Sequence, residues 1–233
     1  MELHFWWTAY PYICAAILVV GSFYRFVFRG KSWTAPSTEI FEKKWLRYAS
    51  VIFHYGIIFA FVGHVMGMLI PLEFYNAIGI DDHTYHLFAI AGGGVAGLMV
   101  VLGLVLFLIR KFVIERVHVH TSAGSYFTII LLLIIAGLGT YMTLVYNTTV
   151  AAYEYRVSIG PWFRSLFTLN PQPELMLKVP TLFKIHVILS FLLFASIPFT
   201  KLVHMFSFPL RYPARAPQQY RSRDGYSKNT RQN

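Results

Sequence analysis

Cysteine and charge are both scarce in this chain. Cys14 is the one cysteine among 233 residues, which excludes an intramolecular disulfide and any zinc or iron–sulfur centre built from several thiolates. Charged residues make up 13% of the sequence against 56% hydrophobic, and the mean hydropathy is +0.54. Soluble domains carry about twice that share of charge, so the composition points to an integral membrane protein. Acidic residues are scarcer still: 10 Asp and Glu stand against 20 Lys and Arg, for a net charge of +10. No basic stripe carries a recognition motif, so nucleic acid is not expected as a partner. Cations collect in the same way in the cytoplasmic loops of membrane proteins. The start, MELHFWWTAYPY, has no basic leading segment and no small-residue cleavage motif after it. It is expected to stay in place as a first span rather than be removed as a signal peptide.

Five apolar runs of about 20 residues or more could cross a bilayer as helices. They cover about 8–28, 48–70, 86–109, 124–146 and 180–206. Every backbone group in lipid must be bonded within its own helix, so the expected fold is an all-α integral membrane protein. Short polar connections make it a five-helix transmembrane antiparallel bundle over 1–208, in contact with membrane lipid. The remainder, 209–233, reads as a basic, Pro-rich tail. Loop charge sets the expected orientation. One side carries Arg25, Arg29, Lys31, Lys43, Lys44 and Arg47, then Arg110, Lys111 and Arg116, then the tail. The other has no cation before Tyr10 and none in 71–85, and only Arg156, Arg164 and Lys178 in the long 147–179 loop. The positive-inside rule then places the N-terminus outside and the C-terminus in the cytoplasm, in a multi-pass protein of the cell membrane. Within the outer loop, 159–169 (IGPWFRSLFTL) suits a short interfacial helix.

Four histidines lie at membrane depth, two on the second run and two on the fifth: His54 and His64, His186 and His204. Ionisable groups there are costly and serve a ligand, an ion or a proton path. Imidazole is a common axial ligand of haem iron. With the two helices antiparallel, His54 and His204 fall toward the cytoplasm, and His64 and His186 toward the outside. Two haems b would each be held by one pair through iron–histidine bonds. On unbroken helices His54 and His64 stand about 15 Å apart and His186 and His204 about 27 Å, the latter two on one face. These unequal spacings call for tilted helices or haem planes. Gly56, Gly63 and Gly67 flank the first two histidines and suit either a flat ring or close helix packing. The run Gly92, Gly93, Gly94 and Gly97 reads as packing, and Lys201 as an interfacial anchor or a partner for a haem propionate.

Most of the chain, about 10–212, resembles the cytochrome b (gamma) subunit of bacterial membrane-bound respiratory nitrate reductase. The segments that carry the likeness are SWTAPSTEIFEKK at Ser32, FHYGIIFAFVGHVMGMLIP around His54 and His64, YRVSIGPWFRSLF at Tyr155, FKIHVILSF around His186 and PFTKLVHMFSFPLRY around His204. YRVSIGPWFR suggests the Gram-positive branch. The resemblance implies a quinol-oxidising oxidoreductase subunit with two b-type haems on those histidines, menaquinol being the expected substrate. It also implies an iron–sulfur partner subunit on the cytoplasmic face and, beyond it, a molybdenum-containing subunit that reduces nitrate. Some members have a lysine at the start of the third span, in a quinol site; here that position is Leu87. The neighbouring His86 is the substitute candidate, with Gly63 and Gly67 leaving room for the quinol ring. The same scaffold could serve another terminal reductase. A haem-free transporter is disfavoured by the lack of an internal repeat and of paired broken helices.

Overall fold

The computed structural model describes residues 2–35, 37–150 and 153–207, and every regular element among them is helical. Five helices are long and apolar enough to cross a bilayer: Glu2–Phe28, Lys44–Leu69, Asp82–Val113, Ala123–Val150 and Thr181–Phe199. The first four extend past their apolar runs into polar flanks, where side chains can close the helix ends. Asp81 does this for the third span, its carboxylate accepting the Thr84 N–H at 3.2 Å. The 209–233 tail lies outside the described residues.

Missing side chains let the spans approach. A Cβ added at Gly56 would come within 2.8 Å of Met99 Cβ and 2.9 Å of the Val100 nitrogen, and one at Gly103 within 2.7 Å of Phe53 Cβ. The second and third spans therefore meet backbone to backbone, the small-residue packing that lipid-embedded helices use. Gly94 and Gly97 make room for the side chains of Leu144 and Thr140 of the fourth span. The first span packs along the fifth.

The fifth span departs from the unbroken run expected to 206. Its α-helix, Thr181–Ser196, tightens into a 3-10 turn, Ile197–Phe199, and stops. Pro198 lacks an N–H and its ring crowds the preceding turn, so the helix cannot continue. Thr200 is extended (φ −119°, ψ −179°), and a separate 3-10 helix, Lys201–Phe206, follows. His186 and His204 thus stand on two elements, and counting whole α-helical turns between them fails.

At the end remote from the basic loops, residues 153–179 form a lid. The short helix Ile159–Phe167 was expected at the lipid interface; instead it turns its apolar face inward. Trp162 is fully buried edge-on against Trp7, at 5.6 Å between ring centroids, and its Nε1–H donates to the Trp7 carbonyl at 2.9 Å. The start of the first span offers this helix a protein partner, so its apolar stripe is used up inside the bundle.

Candidate haem sites and the outer cluster

The structure brings the four membrane-depth histidines into two pairs. The His54 and His204 rings lie 6.3 Å apart between centroids, crossed at 67°. The His64 and His186 rings lie 6.2 Å apart and are nearly parallel, at 12°. A metal held linearly between two imidazoles by bonds of about 2 Å sets their centroids about 6 Å apart. Direct ring stacking would bring them closer, and a hydrogen bond would need nitrogen-to-nitrogen contact. Both pairs thus have the separation of axial ligands.

Three of the rings are aimed by backbone carbonyls. Nδ1 of His54 lies 2.7 Å from the Ser50 oxygen, that of His64 2.6 Å from the Ala60 oxygen, and that of His204 2.6 Å from the Lys201 oxygen. A carbonyl only accepts, so the proton sits on Nδ1 and the Nε2 lone pair is left to ligate. The fourth ring, His186, is placed by a gap: a Cβ at Gly139 would stand 3.1 Å from its Cε1. Among the described residues no third His, Cys, Asp or Glu joins either pair to form a metal-binding group. Each pair offers two ligands along one axis, which suits a metal whose other ligands come from a planar macrocycle.

The space beside the His54–His204 pair fits such a group. A cavity of about 700 Å³ contains His54 and His204 in its lining. Its lining includes the apolar Phe53, Leu104, Phe107 and Leu132 and the basic Arg47 and Lys111. An apolar slot with cations in its lining matches a flat apolar ring bearing carboxylates on one edge.

His204 reaches its partner because the broken end of the fifth span is strapped to the first. Nη1 of Arg25 donates to the carbonyls of Pro198 at 2.7 Å and Thr200 at 2.8 Å, one on each side of the helix break. One turn earlier Gly21 admits Pro198, whose ring would come within 2.9 Å of an added Cβ. The sequence marks Arg25 only as one of the loop cations that set the orientation, and nothing in it singles out Gly21. The signal available was Pro198 itself, a helix breaker between the two histidines.

At the opposite end the quinol candidates fall in different surroundings. Leu87 is 57% exposed and faces out of the bundle. His86 is half-buried, and its Nε2 is shielded from solvent without a hydrogen-bond partner. Gly63 has nothing within 4 Å of an added Cβ, whereas the space at Gly67 is taken by the Tyr155 ring, 2.7 Å away. Tyr155 belongs to a cluster that the sequence did not reveal. The buried Arg156 donates from Nη2 to Glu154 at 2.7 Å and to Asp82 at 2.9 Å, from Nε to Glu154 at 2.8 Å, and lies 3.8 Å over the Tyr85 ring. Burial pushes the Glu154 carboxyl up, but the Arg156 hydrogen bonds outweigh it and hold the group below its ordinary range, with a smaller pull from His86. Hydrogen bonds to Glu154 likewise lift Arg156 above its ordinary value against the effect of burial. The lid is thereby pinned to the start of the third span.

A family model described as the nitrate reductase gamma subunit matches residues 3–223. The chain is 39% identical over 217 residues to the nitrate reductase gamma chain of Bacillus subtilis, covering 93% of this chain and 97% of that one. It is 31% identical over 220 residues to the respiratory nitrate reductase 1 gamma chain of Escherichia coli, covering 94% and 97%. A nitrate reductase-like protein NarX of Mycobacterium tuberculosis is 36% identical over 220 residues, which make up 94% of this chain and 34% of that longer one. Five apolar helices and these likenesses make the chain a multi-pass protein of the cell membrane. It belongs to the nitrate reductase gamma subunit family.

Proposed function

We propose that the chain is the dihaem cytochrome b subunit of a membrane-bound respiratory nitrate reductase. In this reading it oxidises a quinol, menaquinol being the expected one, near the outer face. It passes the electrons across the membrane to an iron–sulfur subunit on the cytoplasmic face, and a molybdenum-containing subunit beyond that reduces nitrate. The observation that carries the proposal is the pair of histidine couples at axial-ligand separation, one toward each end of the bundle.

Haem, when bound, supplies reversible one-electron storage; everything else falls to this chain. His54 with His204 and His64 with His186 would hold the two irons, and the carbonyl-bonded Nδ1 atoms of His54, His64 and His204 leave the Nε2 lone pairs of those three rings free to ligate. The ten-residue separation of His54 and His64 spaces the two histidines by about 15 Å along the second span. Both pairs close, so the offset between His186 and His204 matches that spacing to within helix tilt; the break at Pro198 frees His204 from the about 27 Å of an unbroken helix. A quinol must lose two protons with its two electrons. His86, whose Nε2 has no hydrogen-bond partner, is placed to accept one. Gly63 leaves open space beside His64 for a flat ring. Loop charge supports the orientation, so protons would leave on the outside while electrons move inward.

The test is haem stoichiometry. Pyridine haemochrome analysis of the purified complex should give two haems b per chain, and His204→Ala should remove the inner one while the outer spectrum survives. One haem or none per wild-type chain overturns the proposal.

A further inference from the structure

The cavity beside His54 and His204 is lined by a cation, Lys111, that no carboxylate among the described residues pairs with. Lys111 is 7% exposed. Its Nζ donates to the Thr121 hydroxyl at 3.2 Å and lies 5.6 Å from the Tyr126 ring centroid. Neither neighbour carries negative charge, and Lys111 enters none of the ion pairs formed among the described residues. Glu39, which lines the same cavity, is already engaged by Lys43 at 3.4 Å, and Glu42 is engaged by the lining residue Arg110 at 2.7 Å. Burying an ammonium without a counter-charge is expensive, and a buried charge is normally paired. The cavity also has an apolar body: Phe53, Leu104, Phe107 and Leu132. Its complement is therefore an anionic group attached to a bulky apolar framework, with the anion at Lys111.

We infer that Lys111 pairs with a carboxylate of the ligand seated between His54 and His204, which, on the dihaem reading above, is a propionate of the inner haem. The pairing fixes the direction of the ring. Its carboxylate edge points to Lys111, at the basic end of the third span, and its apolar edge runs into the bundle against Leu104 and Leu132. Lys111 acts here as a positioning residue. Its charge also tunes the iron, because a propionate left without its counter-charge disfavours the electron that arrives on reduction. An anionic phospholipid shares the chemistry, a charged head on an apolar body, and could satisfy the same ammonium from the membrane side.

The experiment is a redox titration of the whole complex, followed optically, with Lys111→Met, Lys111→Gln and Lys111→Arg. Met and Gln should lower the midpoint potential of the inner haem, leave the outer haem where it is and retain both. Arg should restore the wild-type value. Gln covers the case in which Met prevents the chain from accumulating. The titrations are repeated in nanodiscs made only of zwitterionic phosphatidylcholine, after removal of native lipid. A shift that persists there identifies the propionate; a shift that vanishes there identifies the lipid and overturns the inference. An inner potential that Met and Gln leave unmoved, with two haems present, also overturns it. Fewer than two haems in the wild-type chain overturns the dihaem reading instead, so the two failures are distinguishable.

Discussion

The two histidine pairs reach nearly the same separation by different constructions. The outer pair stands on two long helices: His64 closes the α-helical part of the second span, and His186 sits one turn into the fifth. Its rings are almost parallel, at 12°, and a missing side chain at Gly139 leaves His186 its place. The inner pair joins His54 of the second span to His204 on a detached 3-10 segment. Its rings cross at 67°, and its geometry depends on a third element, the first span, through Arg25 and Gly21. An axial pair can be built by helix register alone or by strapping a loose end, and the second way brings in residues that touch neither ligand.

The comparison breaks most visibly at Arg25. Arg25→Ala removes two charge-assisted hydrogen bonds to the Pro198 and Thr200 carbonyls, together on the order of 3 kcal/mol. The expected outcome is loss of most inner haem, read as haem content and as the inner spectrum, with the outer haem intact. Arg25→Lys should recover part of it. Equal loss from both sites would mean that the strap supports the bundle as a whole. His86→Leu should act on the opposite side only. Removing a positioned proton acceptor costs roughly 100-fold in a proton-coupled step. Stopped-flow reduction of the haems by quinol should slow by about that factor, with haem content and both potentials unchanged. Unaltered quinol kinetics would leave His86 without a part in the reaction. Gly139→Ala sharpens the contrast at the smallest scale. Its Cβ would press on the His186 ring from 3.1 Å, a strain of about 1 kcal/mol that a ring rotation can relieve. The low-spin electron paramagnetic resonance signal of the outer haem should move while the inner signal stays. Movement of the inner signal instead would contradict the assignment of His186 to the outer site.

Much of this architecture was legible in the sequence because the bilayer imposes it. Span length and the depth of the four histidines follow from the rise of an α-helix, and antiparallel order then leaves one sensible pairing. What escaped the sequence depends on contacts between distant segments. An apolar run from 180 to 206 reads as one helix, since hydrophobicity continues through Pro198; the break is visible only if the proline outweighs the run. Arg156 looks like a stray cation in an outer loop. Its partner Asp82 lies 74 residues away, and nothing local to either residue announces the pair. Gly67 next to a histidine suggests room for a ligand, yet Tyr155 from the lid takes that room. The amphipathic pattern of Ile159–Phe167 shows that one face must be covered but does not say whether lipid or Trp7 covers it.

The strap at Arg25 also bears on biogenesis. His204 leaves the ribosome 150 residues after His54, roughly 10 to 30 s later at ordinary elongation rates. The carbonyls that Arg25 grips are made 173 and 175 residues after Arg25 itself. The first span must therefore wait, inserted and with Arg25 Nη1 lacking these two carbonyls, until the end of the fifth arrives. Closure of the inner site then joins the earliest helix of the bundle to the latest, so a chain stalled before residue 198 could still bring His64 and His186 together but could not complete the inner pair.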